Sequence, residues 1–144
     1  TGGFSASSPG FDGMFKGAVQ LTTTGSSMQL YEAYLTLDPD TYYELSFTAY
    51  SSTGNNLSVS LQKHGTPYTN YGLSNYVPGL SNAWQTFAVD FMTSGFSTRV
   101  TDARLMFAFN GYASNGDSYS LDAVKLRKLI PAPTKLLANP GFEL

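Results

Sequence analysis

Between residues 18 and 128, apolar and polar side chains alternate in short runs, and turn residues interrupt the runs about every ten positions. Alternation of period two is the pattern of a β-strand with one face in a core, and a series of such runs indicates a sandwich or a barrel. The predicted strands span residues 18–23, 28–37, 42–50, 57–63, 84–92, 103–109 and 118–127, with a short strand near 74–78. The sequence therefore predicts an all-β fold, a two-sheet antiparallel β-sandwich.

Three of the interruptions are short and consist of residues that favour tight turns. Residues 38–40 read Asp-Pro-Asp, residues 54–56 read Gly-Asn-Asn and residues 115–117 read Asn-Gly-Asp. Proline presets φ, glycine permits positive φ, and Asn and Asp bond to nearby backbone groups, so each tripeptide favours a turn between strands. The longer stretch 65–82 is rich in glycine, proline and asparagine and is predicted to be mainly loop.

The alternation also assigns side chains to the two faces of each strand. The residues with core-facing parity are apolar: Ala33, Leu35, Leu37, Tyr43, Leu45, Phe47, Ala49, Leu57, Val59, Leu61, Leu105, Phe107 and Phe109. The residues between them are predicted to face outward and are mostly small or hydrogen-bonding: Glu32, Tyr34, Glu44, Ser46, Thr48, Tyr50, Ser58, Ser60, Gln62, His64, Met106, Ala108 and Asn110. Such nearly uncharged outer faces indicate that a ligand-binding surface on this protein would be neutral or weakly charged.

Charge and residue inventory argue against several function classes. The formal net charge is −2 at pH 7, so no basic surface is expected to attract nucleic acid or anionic lipid. Apolar runs stay well short of the roughly 20 residues that span a bilayer, so membrane insertion is not expected. The sequence has no cysteine for a disulfide or thiolate metal site, and one histidine with scattered carboxylates predicts no catalytic cluster. The chain is therefore predicted not to be an enzyme.

A change in pattern marks a domain boundary near the carboxyl end. The alternation stops near residue 128, and residues 130–134 read Ile-Pro-Ala-Pro-Thr, which is typical of a stiff, extended linker. We predict one domain over residues 1–128, a linker over 129–135 and a further strand over 136–144.

The order and spacing of several fragments carry a family resemblance that runs from about Gly17 to Lys128. Taken together, these fragments resemble a carbohydrate-binding module of the broad group that includes families 4, 9, 16 and 22, which are galactose-binding-like jelly rolls appended to polysaccharide-degrading enzymes and cell-surface proteins. The fragments are GAVQLTTTGSSMQLYEAYLTLDPDTYYELSFTAYSS, LSVSLQKHGTPY, WQTFAVDF, ARLMFAFNG and YSLDAVKL. In the jelly-roll order that the resemblance implies, strands 28–37, 57–63 and 103–109 share one sheet.

The resemblance implies non-catalytic binding of a β-linked polysaccharide of glucan, mannan or xylan type, in a cleft on one sheet. It also implies a secreted or cell-surface location, with neighbouring modules of a parent protein as further partners. The alternative is a structural or adhesive module of a cell-surface protein, in which the same face binds protein or nothing.

Sugar recognition needs aromatic faces for the C–H surface of a pyranose and planar polar groups that bond to adjacent hydroxyls. The candidate polar groups are Glu32, Gln62, His64 and Asn110, and the candidate rings are Tyr68, Tyr71 and Tyr112. The alternative for each tyrosine is packing over the sandwich edge with its hydroxyl in water. The single tryptophan, Trp84, begins a predicted strand and is expected to pack against the domain.

Two carboxylates are candidates for a structural calcium site, which the resemblance implies. Asp122 stands where such modules have a calcium ligand in the last strand, and Glu143 matches the acidic residue of their opening strand. Calcium takes six to eight hard oxygens, which two carboxylates and nearby backbone carbonyls would supply. The alternative for Asp122 is a surface carboxylate near a turn.

The final residues read LLANPGFEL and match the opening strand of such modules, which is not evident at the amino end. We predict that residues 136–143 dock as an edge strand, in their own module or in a neighbour as a swapped or head-to-tail contact. The alternative is that they begin a following tandem module.

Overall fold

A computed structural model describes the backbone of residues 2–7 and 18–23 and the backbone and side chains of residues 29–129. Every regular element in the described part of the chain is a strand. The strands are β1 (Gly2–Ser7), β2 (Ala18–Thr23), β3 (Gln29–Leu37), β4 (Tyr42–Ser51), β5 (Ser58–Lys63), β6 (Asn70–Tyr76), β7 (Gln85–Met92), β8 (Val100–Ala108) and β9 (Ser118–Lys128).

The strands form two antiparallel sheets. One has five strands in the order β1-β2-β9-β4-β7, and the other has four strands in the order β3-β8-β5-β6. The predicted β-sandwich is confirmed, and so is the prediction that β3, β5 and β8 share one sheet.

The core between the sheets includes most of the residues that alternation assigned to it. Leu45, Phe47, Val59 and Leu61 are almost completely buried, and Phe107 meets the Phe47 ring edge-on at 5.4 Å between centroids. An edge-to-face pair adds stabilisation to the apolar area that the two rings bury. The inward parity of β4, β5 and β8 is thus confirmed.

Two strands differ from the sequence-based expectation. β1 pairs with β2 at the edge of the five-stranded sheet, so the amino end does supply a strand there, although Gly-Gly-Phe-Ser-Ala-Ser has little strand character. β6 begins at Asn70, earlier than the short strand expected near 74–78. The sequence pattern did not show this start because Gly72, with φ of 126°, interrupts the alternation within the strand. Residues 136–143, whose docking we predict, lie outside the described residues.

β3 contains a bulge that changes which side chains face outward. Glu32 lies opposite Leu105 and Leu35 lies opposite Ala103, so Ala33 and Tyr34 together oppose Arg104. An extra residue in one strand reverses the parity on either side of it. Leu30, opposite Phe107, therefore has core-facing parity as Leu35 does, and Tyr31, opposite Met106, has outward parity. Glu32, opposite Leu105, has core-facing parity in this register, but its side chain at the sheet edge is exposed, so its place in the binding site stays a prediction.

The two sheets come close at the β6 and β7 edge. The Ser94 amide donates a hydrogen bond of 3.1 Å to the Tyr71 carbonyl. A Cβ atom on Gly72 would lie 2.5 Å from the Met92 carbonyl oxygen. A residue without a side chain is required at this crossing.

Candidate functional site

The outer face of the four-stranded sheet changes character along β5 and β8. At one end of this face, Ser58 lies opposite Ala108 and Ser60 lies opposite Met106, so the side chains there are small or flexible. At the other end Gln62 lies opposite Arg104. Gln62 and Arg104 therefore place two planar hydrogen-bonding groups at the end where β5 finishes and β8 begins.

Arg104 is the centre of this polar end. Its Nε donates a hydrogen bond of 3.0 Å to Nδ1 of His64, and its guanidinium carbon lies 4.5 Å from the ring centroid of Tyr31 and 5.5 Å from that of Tyr68. A guanidinium over aromatic faces gains cation–π attraction. Because Nδ1 accepts this bond, the His64 ring carries its proton on Nε2 and is neutral in this arrangement.

A second ring contact joins Tyr34 to the same group. The Tyr34 ring meets His64 edge-on at 4.9 Å, and the Tyr31 ring is tilted to His64 at 5.7 Å. We call the set Tyr31, Tyr34, His64, Tyr68 and Arg104 the Arg104 cluster. Its three tyrosines stay exposed, at 48% for Tyr31, 72% for Tyr34 and 50% for Tyr68.

Two of these tyrosines have a positive φ, a backbone conformation that residues other than glycine rarely adopt. Tyr34 has φ of 64° at the β3 bulge, and Tyr68 has φ of 57° in the turn after the cis Thr66–Pro67 bond, where its amide donates to the Gly65 carbonyl at 2.7 Å. The left-handed region costs a residue other than glycine about 1–2 kcal/mol. Strain of this kind, at exposed aromatic residues, is characteristic of functional surfaces.

The cluster provides the chemistry of a ligand platform. The tyrosine rings offer apolar faces on which a flat C–H surface can stack, and their hydroxyls can donate or accept hydrogen bonds. The guanidinium adds planar donors, and Gln62 adds an amide with both donor and acceptor capacity. Such a surface suits a polyhydroxylated ligand with flat apolar faces.

Three of the predicted site residues lie in or beside the cluster. His64 and Tyr68 belong to it, and Gln62 is the register partner of Arg104. Glu32 lies on the neighbouring strand beside the bulge, with an exposed side chain.

The prediction that Tyr71 is a ligand-stacking ring is wrong. Its ring is only 3% exposed and packs edge-on against Phe96 at 4.8 Å, while its hydroxyl donates to Asp102 at 2.9 Å. Burial and this hydrogen bond raise the pKa of Tyr71 to about 12. A buried ring cannot stack on a ligand, so Tyr71 has a packing role in this structure.

Asn110 and Tyr112 lie at the opposite end of β8 from the cluster. The Tyr112 amide donates to the Phe109 carbonyl at 3.1 Å in the turn that follows the strand. Six residues of extended strand separate Arg104 from Asn110, a distance of about 20 Å. One ligand would contact both ends only if it spanned the whole sheet.

Sequence reasoning missed Tyr31 and Arg104 as site residues and did not select Tyr34, although it placed Tyr34 outside. Tyr31 was hidden by the bulge, which no alternation pattern reveals. Arg104 had a usable signal, since it is the only charged residue at an outward position of the ARLMFAF strand.

The predicted calcium site is described only in part. Asp122 is 2% exposed, and its Oδ1 accepts a hydrogen bond of 2.7 Å from the Ala123 amide. Glu143 lies outside the described residues, and the described part of the chain brings together no group of three or more His, Cys, Asp or Glu side chains suited to a metal. One buried carboxylate falls short of the oxygen set that calcium needs, so calcium stays a prediction.

Trp84 directly precedes β7 of the five-stranded sheet, and its ring centroid lies 6.0 Å from that of Tyr50 on β4. This position is consistent with the packing role expected from the sequence. Across the residues that the structure describes, we find no helix long and apolar enough to cross a membrane.

The two-sheet fold with an aromatic and polar face defines a class of β-sandwich binding domains. The family profile described as carbohydrate binding domain, of the family 4 and 9 type, matches residues 4–115. The chain therefore belongs to this carbohydrate-binding family, and its partner is a saccharide. A search of curated protein sequences found no match.

Solved structures with the same fold include several carbohydrate-binding modules. A structure described as a family 4 module has 18% identity and a TM-score of 0.72, with 90% of each chain covered. The amino-terminal cellulose-binding domain of β-1,4-glucanase C from Cellulomonas fimi has 19% identity and a TM-score of 0.66, covering 90% of this chain and 89% of that one. The CBM22-1 xylan-binding domain of Xyn10C from Paenibacillus barcinonensis has 12% identity and a TM-score of 0.52, covering 89% and 80%. At these identities the likeness establishes the fold.

Proposed function

We propose that this domain binds a β-linked polysaccharide chain of glucan, mannan or xylan type across the outer face of its four-stranded sheet, at the Arg104 cluster. The observation that carries the proposal is the grouping of three exposed tyrosine rings around Arg104 and His64, beside the Gln62 amide. The family assignment gives the ligand its chemical class.

Physical chemistry favours this face for a sugar chain. Pyranose rings present flat C–H surfaces that stack on aromatic rings, while their equatorial hydroxyls bond to amide and guanidinium groups in the ring plane. The β-linked choice is supported by two structural neighbours, one described as a cellulose-binding domain and the other as a xylan-binding domain.

Binding without catalysis is part of the proposal. Glycoside hydrolysis uses two carboxyl groups about 5–10 Å apart on either side of the bond to be cleaved. Glu32 lies on β3 and Glu44 on β4, in different sheets, and Glu44 is engaged by Arg127 at 2.9 Å. A domain that only binds polysaccharide suits a secreted or cell-surface protein, which is the location we propose.

A second candidate function rests on the same residues. Exposed tyrosine and arginine side chains are also enriched at the centres of protein interfaces. The Arg104 cluster would then hold a protein partner in a structural or adhesive array on a cell surface.

Affinity electrophoresis separates the two candidates. Native gels containing soluble β-glucan, β-mannan or xylan should retard the wild-type domain in at least one case. Tyr68→Ala and Tyr31→Ala should abolish the retardation, whereas Tyr50→Ala, which removes a ring from the five-stranded sheet, should preserve it. Mobility unchanged by every polysaccharide, neutral or acidic, would exclude saccharide binding at this face and leave the protein-binding candidate.

A further inference from the structure

Arg104 differs from the other two arginines of the sequence in its partners. Arg99 pairs with Asp38 at 2.6 Å and Arg127 pairs with Glu44 at 2.9 Å. Arg104 instead contacts a neutral imidazole and two tyrosine rings, and no carboxylate of the described residues lies within ion-pair distance of it. Among the described residues, the positive charge on the proposed binding face is thus left without a counter-charge.

The contacts of Arg104 leave the far end of its guanidinium available. Nε donates to His64, and no contact between Arg104 and another described residue is a hydrogen bond from one of its terminal nitrogens. The two terminal nitrogens remain as a planar fork of donors, which matches the two oxygens of a carboxylate in a bidentate pair. The hydrogen bond to His64 restrains the Arg104 guanidinium, and so limits the side-chain freedom that ligand binding would otherwise remove.

We propose that the Arg104 cluster recognises an acidic sugar unit, a uronate carboxylate or a sulfate ester, within the polysaccharide chain. This inference rests on the proposed function and names the ligand class of the same site. The tyrosine rings would stack on sugar rings while the terminal nitrogens of Arg104 pair with the anionic group. The ligand is then a uronate-bearing xylan, a polyuronate or a sulfated glucan rather than a purely neutral chain.

The overall charge of the protein does not produce such a preference. With a formal net charge of −2, the domain as a whole repels a polyanion weakly. Selection of an acidic chain must then come from a local group, and charges farther away than a Debye length, about 8 Å at physiological salt, are largely screened. Arg104 is the cation that the fold places among the exposed rings.

Matched pairs of oligosaccharides test the inference by isothermal titration calorimetry. One pair is a cello-oligosaccharide and the β-1,4-linked glucuronan oligosaccharide of equal length, which differ in the group at C6. A sulfated cello-oligosaccharide forms a third arm and separates carboxylate from sulfate recognition. The wild-type domain should bind one or both acidic forms at least about tenfold more tightly than the neutral form, and the preference should shrink as salt is added.

Two variants that each remove one positive charge show whether the preference for acidic chains comes from Arg104. Arg104→Gln should remove the preference while the domain keeps its melting temperature, because the loss of affinity should be much larger for the acidic chain than for the neutral one. Arg127→Gln, which removes a cation near the end of β9 in the other sheet, should leave the preference intact. An equal loss in both variants would show that net charge is responsible and would overturn the inference.

The outcomes for the two levels of the proposal are distinct. Neutral chains bound as tightly as acidic ones by the wild-type domain would overturn acidic recognition and support the proposed function. No binding to the neutral, carboxylated or sulfated chains, nor to the xylans and mannans, would overturn both.

Discussion

At the scale of single residues, the His64–Arg104 contact gives the candidate site its geometry. The bond from Arg104 Nε to His64 Nδ1 restrains a guanidinium that also contacts two tyrosine rings. An arginine without such a partner would lose more rotamer freedom on binding. His64 is accordingly a positioning residue whose contribution passes through Arg104.

We expect His64→Ala to weaken binding of a confirmed ligand by about 0.5–1.5 kcal/mol, the range of one net hydrogen bond. His64→Asn keeps an acceptor near Nδ1 and should retain part of the affinity. Calorimetry of the two variants checks this, with circular dichroism as a control for folding. Equal affinity in wild type and His64→Ala would show that Arg104 needs no orienting partner.

The sequence predicted some of these residues for a physical reason. Regular alternation along β5 correctly identified the outward parity of Gln62, and His64 follows on the same stripe. It could not identify Tyr31, because the outward parity of this residue depends on the bulge two positions later. It also proposed Tyr71 as a ligand ring, since a loop rich in glycine and proline gave no sign that β6 begins at Asn70 and buries this tyrosine.

At the scale of elements, the crossing of β6 and β7 fixes how the sheets meet. Gly72 has φ of 126°, and a Cβ there would lie 2.5 Å from the Met92 carbonyl oxygen and 3.1 Å from Thr93 Cα. Both obstacles are backbone atoms, which cannot rotate away as a side chain would.

We expect Gly72→Ala to lower the free energy of unfolding by at least about 1–3 kcal/mol, because the strand must move or the dihedral must change. Gly79→Ala is the matched control, since Gly79 also has positive φ, at 88°, but has open space where the Cβ would be. Urea denaturation compares the two. A loss for Gly79→Ala as large as for Gly72→Ala would attribute the effect to φ alone and not to the close crossing.

Element positions were more predictable than strand edges. Strands β2 to β5 and β7 to β9 follow runs of alternation bounded by turn residues, and tertiary pairing changed their limits only slightly. β1 has two glycines and a single large apolar residue, so its pairing with β2 rests on its place in the sheet rather than on strand propensity.

At the scale of the whole molecule, Asp38 connects the two sheets at one end of the sandwich. It lies in the turn between β3 and β4 and pairs with Arg99, which precedes β8, and with Lys128 at the end of β9. Hydrogen bonds from Arg99 and then Lys128 are the main causes that lower the pKa of Asp38 from 3.8 to about 2.

This shift predicts acid sensitivity with a defined sign. A carboxyl whose pKa is lower in the folded state stabilises the protein above its unfolded pKa, and this contribution is lost as the pH falls through the folded pKa. We expect the melting temperature to fall between about pH 4 and pH 2, and Asp38→Asn to show a smaller fall than wild type. Asp40→Asn in the same turn should behave like wild type. If the melting temperature of Asp38→Asn fell with pH as much as that of wild type, Asp38 would not be the cause of the acid sensitivity.

The carboxyl-terminal segment leads to a second whole-molecule prediction, which rests on sequence alone. If residues 136–143 dock as an edge strand and bring Glu143 to Asp122, deleting residues 134–144 should lower the melting temperature and remove any stabilisation by calcium. Differential scanning calorimetry with calcium and with chelator measures both effects. Identical melting curves before and after deletion would favour the alternative, in which the segment begins another module.

Binding of a saccharide at the Arg104 cluster is tested most directly by a two-dimensional NMR titration. The amide resonances of the domain should be followed while a β-1,4-linked oligosaccharide, neutral or carboxylated, is added. The predicted result is that the largest shifts fall on Tyr31, Tyr34, Gln62, His64, Tyr68 and Arg104, with little change on the five-stranded sheet. Shifts concentrated on the outer face of β4 and β7, with the cluster unaffected, would contradict the assignment of the binding face.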